Sequence, residues 1–223
     1  MRQDRRWFRS LSRRLPHSRK HLDQTFASQP QQTLLDRLEQ ALKAGITCYQ
    51  FREKGQFSLQ DPQQIEQLAL QCQHLCQQYN VPFIINNDVQ LAEKLHADGI
   101  HVGQKDFAVD KLAQQIQGKM LIGLSVNTLQ QAQQHNAFNG VDYYGCGPIF
   151  PTFSKADAAP DVGIHFVQFL REQGINKPLV AIGGIRTEHV AALLQAGADG
   201  VAVISTIMQS ANITATVKQI LNA

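Results

Sequence analysis

In this chain short apolar runs end abruptly in polar residues of a few types. Gln50, Arg52 and Lys54 occupy and follow the end of "ITCYQF", and Asn86, Asn87 and Asp88 follow "PFII". Gln104 and Asp106 follow "GIHV", and Ser125 and Asn127 close "MLIGLS". Further on stand "GPIFPTFSK", which ends in Lys155, then "GGI" at Gly183 and Gly184, then Ile204 and Ser205. Arg and Lys match phosphate oxygens, a carboxylate with waters and phosphate suits Mg²⁺, and glycine backbone N–H groups near a helix start bind anions. The chemistry these types share is the handling of a polyanion together with a divalent cation.

Each has a plainer reading. Arg52 and Lys54 equally suit a solvated strand end, Asn87 or Asp88 a helix cap, and the Gly183-Gly184 pair a tight turn. Cys72 and Cys76, one helical turn apart with His74 between them, lack a second ligand pair at zinc spacing and read as core. His101, inside an apolar strand, reads as a hydrogen-bonded structural histidine. Neither a Ser-His-Asp constellation nor a P-loop is present.

The elements that must carry these residues alternate. Leu34, Leu35, Leu38, Ala41 and Leu42 keep helical spacing, with Gly45 placed to cap the helix end. Strand "ITCYQF" follows, then a helix over Pro62 to Tyr79, strand "PFII", helix "VQLAEKLHA", strand "GIHV" and helix "VDKLAQQI". The pattern runs on through strand "MLIGLS", helix "TLQQAQQHNAF", strand "VDYYG", a helix over Ile164 to Gln173, strand "PLVAI", helix "EHVAALLQAG", strand "GVAVI" and a final helix. Apolar strands alternating with amphipathic helices predict a parallel (β/α)₈ barrel, whose site lies at the carboxyl ends of the strands. Only seven strands are legible, so the first is expected to be missing or replaced by the basic start. The expected division is an atypical, poorly ordered basic segment over residues 1–32 and a barrel domain over 33–223.

At 223 residues and 43% hydrophobic the chain can bury one sizeable core. Its four cysteines show no disulfide framework, which suits a reducing cytoplasm. No apolar run has the length of a membrane span and no signal peptide is evident. Residues 1–20 hold eight of the 21 Lys and Arg and one of the 18 Asp and Glu, so they carry +7 and the remainder −4. A nucleic-acid arm and a mitochondrial presequence are weaker readings of that start than a segment foreign to the fold, and neither nucleic acid nor membrane is expected as a partner. A homo-oligomer is compatible with the sequence.

"QFREKG", "PFIINNDVQLAEKLHADGIHVGQKD", "IGLSVNT", "GCGPIFPTFSK" and "VAIGGI" through "AGADGVAVIS" resemble, in order and spacing, the thiamine phosphate synthase family. The resemblance runs from about Leu34 to the C-terminus. It implies a barrel enzyme that joins hydroxymethylpyrimidine diphosphate to a thiazole phosphate, the diphosphate leaving first and the thiazole nitrogen capturing the cation. It places the pyrimidine diphosphate on Gln50, Phe51, Arg52, Glu53, Lys54, Asn86, Ser125 and Lys155, with Lys155, Arg52 and Ser125 catalytic. The thiazole phosphate falls to Thr152, Phe153, Ser154, Gly184, Ile204 and Ser205, and Mg²⁺ to Asn87 and Asp106.

Three departures stand out. Asn87 replaces the family's usual aspartate, Asn127 stands where a histidine is frequent, and the first strand is not legible. The related thiazole tautomerases need an acid/base histidine at Asn127, which an amide cannot replace. A barrel lacking a strand would also suit a damaged homologue that only binds thiamine intermediates, or a start altered by a frameshift.

Overall fold

The computed structural model describes residues 21–25, 31–54, 58–152 and 159–223. Eight parallel strands close a barrel in sequence order: β1 (His21–Thr25), β2 (Tyr49–Arg52), β3 (Phe83–Asn86), β4 (Gly99–Val102), β5 (Leu121–Val126), β6 (Tyr143–Cys146), β7 (Leu179–Ile182) and β8 (Gly200–Val203). Around them run α1 (Gln31–Ala44), α2 (Pro62–Gln78), α3 (Val89–Lys94), α4 (Val109–Ile116), α5 (Leu129–Asn136), α6 (His165–Glu172) and α7 (Val190–Gln195), the last led by a 3₁₀ turn at Thr187–His189. Two helices, α8 (Ser205–Met208) and α9 (Ile213–Leu221), follow β8. Among the described residues no helix is long and apolar enough to cross a membrane.

The expected missing strand is a correction. "HLDQT" lacks the apolar run by which the other strands are legible, yet it pairs with β2, Leu22 opposite Tyr49, and with β8, Leu22 opposite Val203. Two parallel edges, each with unpaired backbone groups, impose a strand on the segment between them whatever its side chains, because a closed barrel leaves no edge. The gap that a missing first strand would leave between β2 and β8 is filled, and the damaged-homologue and frameshift readings lose the strand count on which they rested. Residues 1–20 lie outside the described residues.

Local sequence explains four of the helix starts. Asp61 caps α2 by accepting the Gln63 N–H, with Pro62 in the first helical position. Asp88 caps α3 through Leu91 N–H, Thr128 and Gln131 form a capping box on α5, and Asn212 caps α9. Gly45 ends α1 at φ +101°, as its position predicted. The predicted helices at Val89 and Glu188 are shorter than read: α3 stops at Lys94, and α7 begins only at Val190.

The amino ends of the barrel repeat one device. Asp98 donates its backbone N–H to Phe83 O at 3.0 Å and accepts the Phe83 N–H at 2.8 Å. Asp142 does the same with Ile122, at 2.8 Å both ways, and Asp199 with Leu179, at 2.8 and 2.7 Å. Each aspartate stands just before an even-numbered strand and clasps the first residues of the odd-numbered strand before it. The N–H groups so satisfied belong to buried residues, for which an unmade bond is costly.

The four cysteines are free and buried. Cys72 packs against Tyr49, whose hydroxyl lies 3.7 Å from its Sγ, and burial pushes its thiol up to about 12. His74 faces outward and bonds Gln78 instead. Replacing Asp142 with Ala leaves the Ile122 N–H without that acceptor, so urea unfolding should show a loss of about 1–3 kcal/mol; a change below a few tenths would mean the clasp contributes nothing.

Candidate active site

Strand alternation sorts the side chains of β2 to β8 into two sets. Tyr49, Phe51, Phe83, Ile85, Ile100, Val102, Leu124, Tyr144, Ala181 and Val201 belong to the main core between sheet and helices. Tyr143, Val180 and Ala202 form a separate cluster, with Ile182 against it, inside the barrel. Above that cluster a cavity of about 420 Å³ opens toward the carboxyl ends of the strands. Gln50, Arg52, Asn86, His101, Ser125 and Ala202 line it from the strands themselves. Gln50 and Arg52 are each only 8% exposed, so these polar heads sit in the wall rather than in bulk water.

Between β4 and β6 the interior holds a chain of polar groups. His101 Nδ1 lies 3.0 Å from the Tyr143 hydroxyl and its Nε2 2.9 Å from Ser125 Oγ. Space for this imidazole comes from neighbouring strands: a Cβ on Gly123 would strike both Tyr143 and His101, and one on Gly145 would stand 2.8 Å from His101 Cε1. The structural reading of His101 holds in that it is buried and hydrogen-bonded, but it also lines the cavity.

The loops complete the rim. Gln104 Nε2 donates to Ser125 O at 2.7 Å, which ties the turn after β4 to β5. Within that turn Gly103 N–H donates to Asp106 Oδ2 at 2.7 Å and fixes the carboxylate beside Lys105, and all three line the cavity. Asn127 and Gln131 line it too, the Asn127 N–H donating to Gln131 Oε1 at 2.8 Å. Across the mouth, Ile149 N–H donates to Ile182 O and Phe150 N–H to Gly183 O, so the segment after β6 runs along the end of β7. Gly184 adopts φ +62°, and a Cβ there would stand 2.5 Å from Pro151 O, so glycine permits this approach. Val162 and Gly163 donate back to Pro148 and Ile149 and tie down the far end of the long loop. Thr152, Gly184, Ile204 and Ser205 all face the cavity.

Of the residues singled out by sequence, the cavity therefore gathers Gln50, Arg52, Asn86, Asp106, Ser125, Thr152, Gly184, Ile204 and Ser205. Five others stand elsewhere. Phe51 packs on Phe83 in the outer core, ring centroids 6.3 Å apart. Glu53, half-buried and thereby raised in pKa, accepts the Leu59 N–H at 2.8 Å and anchors the loop after β2. Lys54 is exposed beyond the cavity lining. Asn87, at φ +65°, accepts from Asn86 Nδ2 at 2.8 Å and donates its N–H to His101 O. Asp88 is the helix cap of the pair. Phe153, Ser154 and Lys155 lie outside the described residues. Sequence reading passed over Lys105, Gln131 and Tyr143, and set His101 aside. Only His101 carried a usable signal, a polar side chain inside an otherwise apolar strand.

Among the described residues no group of three or more His, Cys, Asp or Glu could hold a metal ion. Mg²⁺, however, is commonly held by one or two carboxylates with waters and substrate phosphate. The fixed Asp106 carboxylate fits that mode, whereas the Asn87 amide oxygen is turned onto Asn86.

Comparison with known proteins gives concordant results. The family model described as thiamine monophosphate synthase matches residues 24–207. The thiamine-phosphate synthase of Pasteurella multocida is 55% identical over 201 residues, 90% of this chain and 89% of its own. That of Listeria monocytogenes serovar 1/2a is 52% identical over 190 residues, covering 85% and 89%. Among solved structures, thiamine phosphate pyrophosphorylase from Pyrococcus furiosus superposes with TM-score 0.76 at 27% identity, covering 91% and 93%. A 3-hexulose-6-phosphate synthase, TM-score 0.64 at 12% identity, shares the fold.

The glycine clearance is directly testable. Gly123→Ala forces a methyl into the Tyr143–His101 contact and should lower stability by about 1–3 kcal/mol, as overpacking does. Chemical denaturation measures it, and an unshifted midpoint would show that the interior has slack.

Proposed function

The chain belongs to the thiamine monophosphate synthase family, and from that membership we propose that it is a transferase of thiamine biosynthesis, joining hydroxymethylpyrimidine diphosphate to thiazole phosphate with release of pyrophosphate. The observation that supports this reading best is one cavity in which Arg52, Ser125 and Asp106 converge from β2, β5 and the turn after β4, opposite Gly184 and Ser205. The first group suits a diphosphate and the second a monophosphate.

In the proposed reaction the bond between the pyrimidine methylene carbon and the diphosphate oxygen breaks, and its electron pair leaves with the diphosphate. Arg52, held in a largely buried wall, neutralises the charge that grows on the departing oxygens, where a preorganised cation acts more strongly than in water. Ser125 donates to the same group. The thiazole nitrogen then gives its lone pair to the methylene carbon, and the dry, closed barrel floor of Tyr143, Val180 and Ala202 keeps competing water away. Mg²⁺, when bound through Asp106, supplies further charge neutralisation for the diphosphate. Lys155 is assigned to the leaving group by the "PTFSK" resemblance. Asn127 lines the cavity as an amide, so the proton shuttle of a tautomerase has no donor at that position.

The test is a coupling assay that measures thiamine phosphate and pyrophosphate with both substrates and Mg²⁺. Arg52→Ala and Lys155→Ala should each lower kcat by about 100-fold or more with melting temperatures nearly unchanged; product formation by neither the parent chain nor its variants would refute the assignment.

The two expected metal positions should separate in an Mg²⁺ titration. Asp106→Ala should raise the half-maximal Mg²⁺ concentration about tenfold, while Asn87→Ala changes it about twofold or less, because a carboxylate and not an already bonded amide supplies the charge. Equal shifts in the two variants would return Asn87 to the metal.

A further inference from the structure

The contacts of His101 with Tyr143 and Ser125 impose a direction on all three residues. A neutral imidazole has one N–H donor and one bare acceptor nitrogen, so its two hydrogen bonds cannot both be donated. In one arrangement the Tyr143 hydroxyl donates to Nδ1, Nε2–H donates to Ser125 Oγ, and the serine proton is free to point into the cavity. In the other, Nδ1–H donates to the phenol oxygen and Ser125 spends its single proton on Nε2, leaving only lone pairs for a ligand. The cavity wall discriminates between them. Arg52 and Lys105 line the same space as Ser125, and the anionic oxygens they suit can only accept.

We propose that Tyr143 and His101 are positioning residues for the reaction: Tyr143 holds His101 in its Nε2–H form, and His101 thereby fixes Ser125 as a hydrogen-bond donor to the substrate's anionic group. The inference rests on reading this cavity as the diphosphate site. The geometry favours a dedicated relay over incidental packing for two reasons. His101 and Tyr143 are 6% and 7% exposed, so bulk water has little access to either, and both distances, 3.0 and 2.9 Å, are at hydrogen-bond length. Glycine on the inward positions of two neighbouring strands, Gly123 and Gly145, keeps the imidazole's place open. Neither relay residue need touch the reacting atoms. Their effect reaches the substrate through one hydroxyl.

The tautomer can be read without turnover. Long-range ¹H–¹⁵N correlation on the full chain labelled with ¹⁵N-histidine, with the His101 signals assigned by their disappearance in His101→Gln, should show a protonated Nε2 and a bare Nδ1, with and without inorganic pyrophosphate. Tyr143→Phe keeps the ring and removes the donor, so the Nε2–H preference should weaken. In the coupling assay kcat should fall about tenfold, the worth of one charge-assisted hydrogen bond, with a smaller change in KM. In a Ser125→Ala background the same substitution should have no further effect on kcat. An Nδ1–H tautomer or an imidazolium in the parent chain would overturn the relay, as would a full multiplicative loss from Tyr143→Phe without Ser125. If Tyr143→Phe does not fold, the parent spectrum still decides. The expected tautomer in a chain that makes no thiamine phosphate would sink the assigned reaction and leave the relay standing.

Discussion

Parity along the strands of a closed parallel sheet governs what this molecule can place at its centre. Odd positions of β2, Tyr49 and Phe51, join the apolar layer under the helices, and even positions, Gln50 and Arg52, enter the barrel. The interior is narrow, and some large side chains are accommodated there because a neighbouring strand gives up its own. Gly123 and Gly145 do this for His101, and Gly99 does it for Ile84, whose Cδ1 stands 2.6 Å from where a Cβ would be. Change the parity of one strand and its apolar and polar sets exchange places.

The two ends of the barrel meet different demands. At the amino end, Asp98, Asp142 and Asp199 satisfy the first backbone donors of β3, β5 and β7, and Arg171 adds an ion pair to Asp199 at 2.6 Å. These contacts fix strand register and take no part in the cavity. At the carboxyl end the backbone is shaped by close approach, Gly184 against Pro151 and Gly103 against Asp106. Register contacts and cavity thus occupy opposite faces, so loops at the upper rim can vary in sequence without loosening the lower one.

Among the described residues, the carboxylate that lines the cavity is that of Asp106. Asp106 is held by Gly103, while Asn87 turns its amide oxygen to Asn86 and its backbone to β4. The left-handed backbone of Asn87 is a conformation that asparagine tolerates better than most residues. At this position the backbone N–H joins the end of β3 to β4 and the side-chain oxygen takes the neighbouring Asn86 amide, roles that need no negative charge.

By itself the sequence determined the alternation of strand and helix, a helix cap at Asn87 or Asp88, the glycine stop at Gly45, and the set of strand ends that line the cavity. These depend on periodicity and on contacts between near neighbours, which a linear pattern records. It also carried the motifs of the family to which the chain belongs. The tertiary structure alone decided that "HLDQT" is a strand, because its pairing comes from the backbones of β2 and β8 and not from its own side chains. It likewise decided that Phe51 serves the outer core and Glu53 a loop, although both lie in the same motif as Arg52, and that His101 meets Tyr143 and Ser125 across 42 and 24 positions of sequence. Hydrogen bonds of that range depend on register and on the room left by absent side chains, and both are properties of the closed sheet.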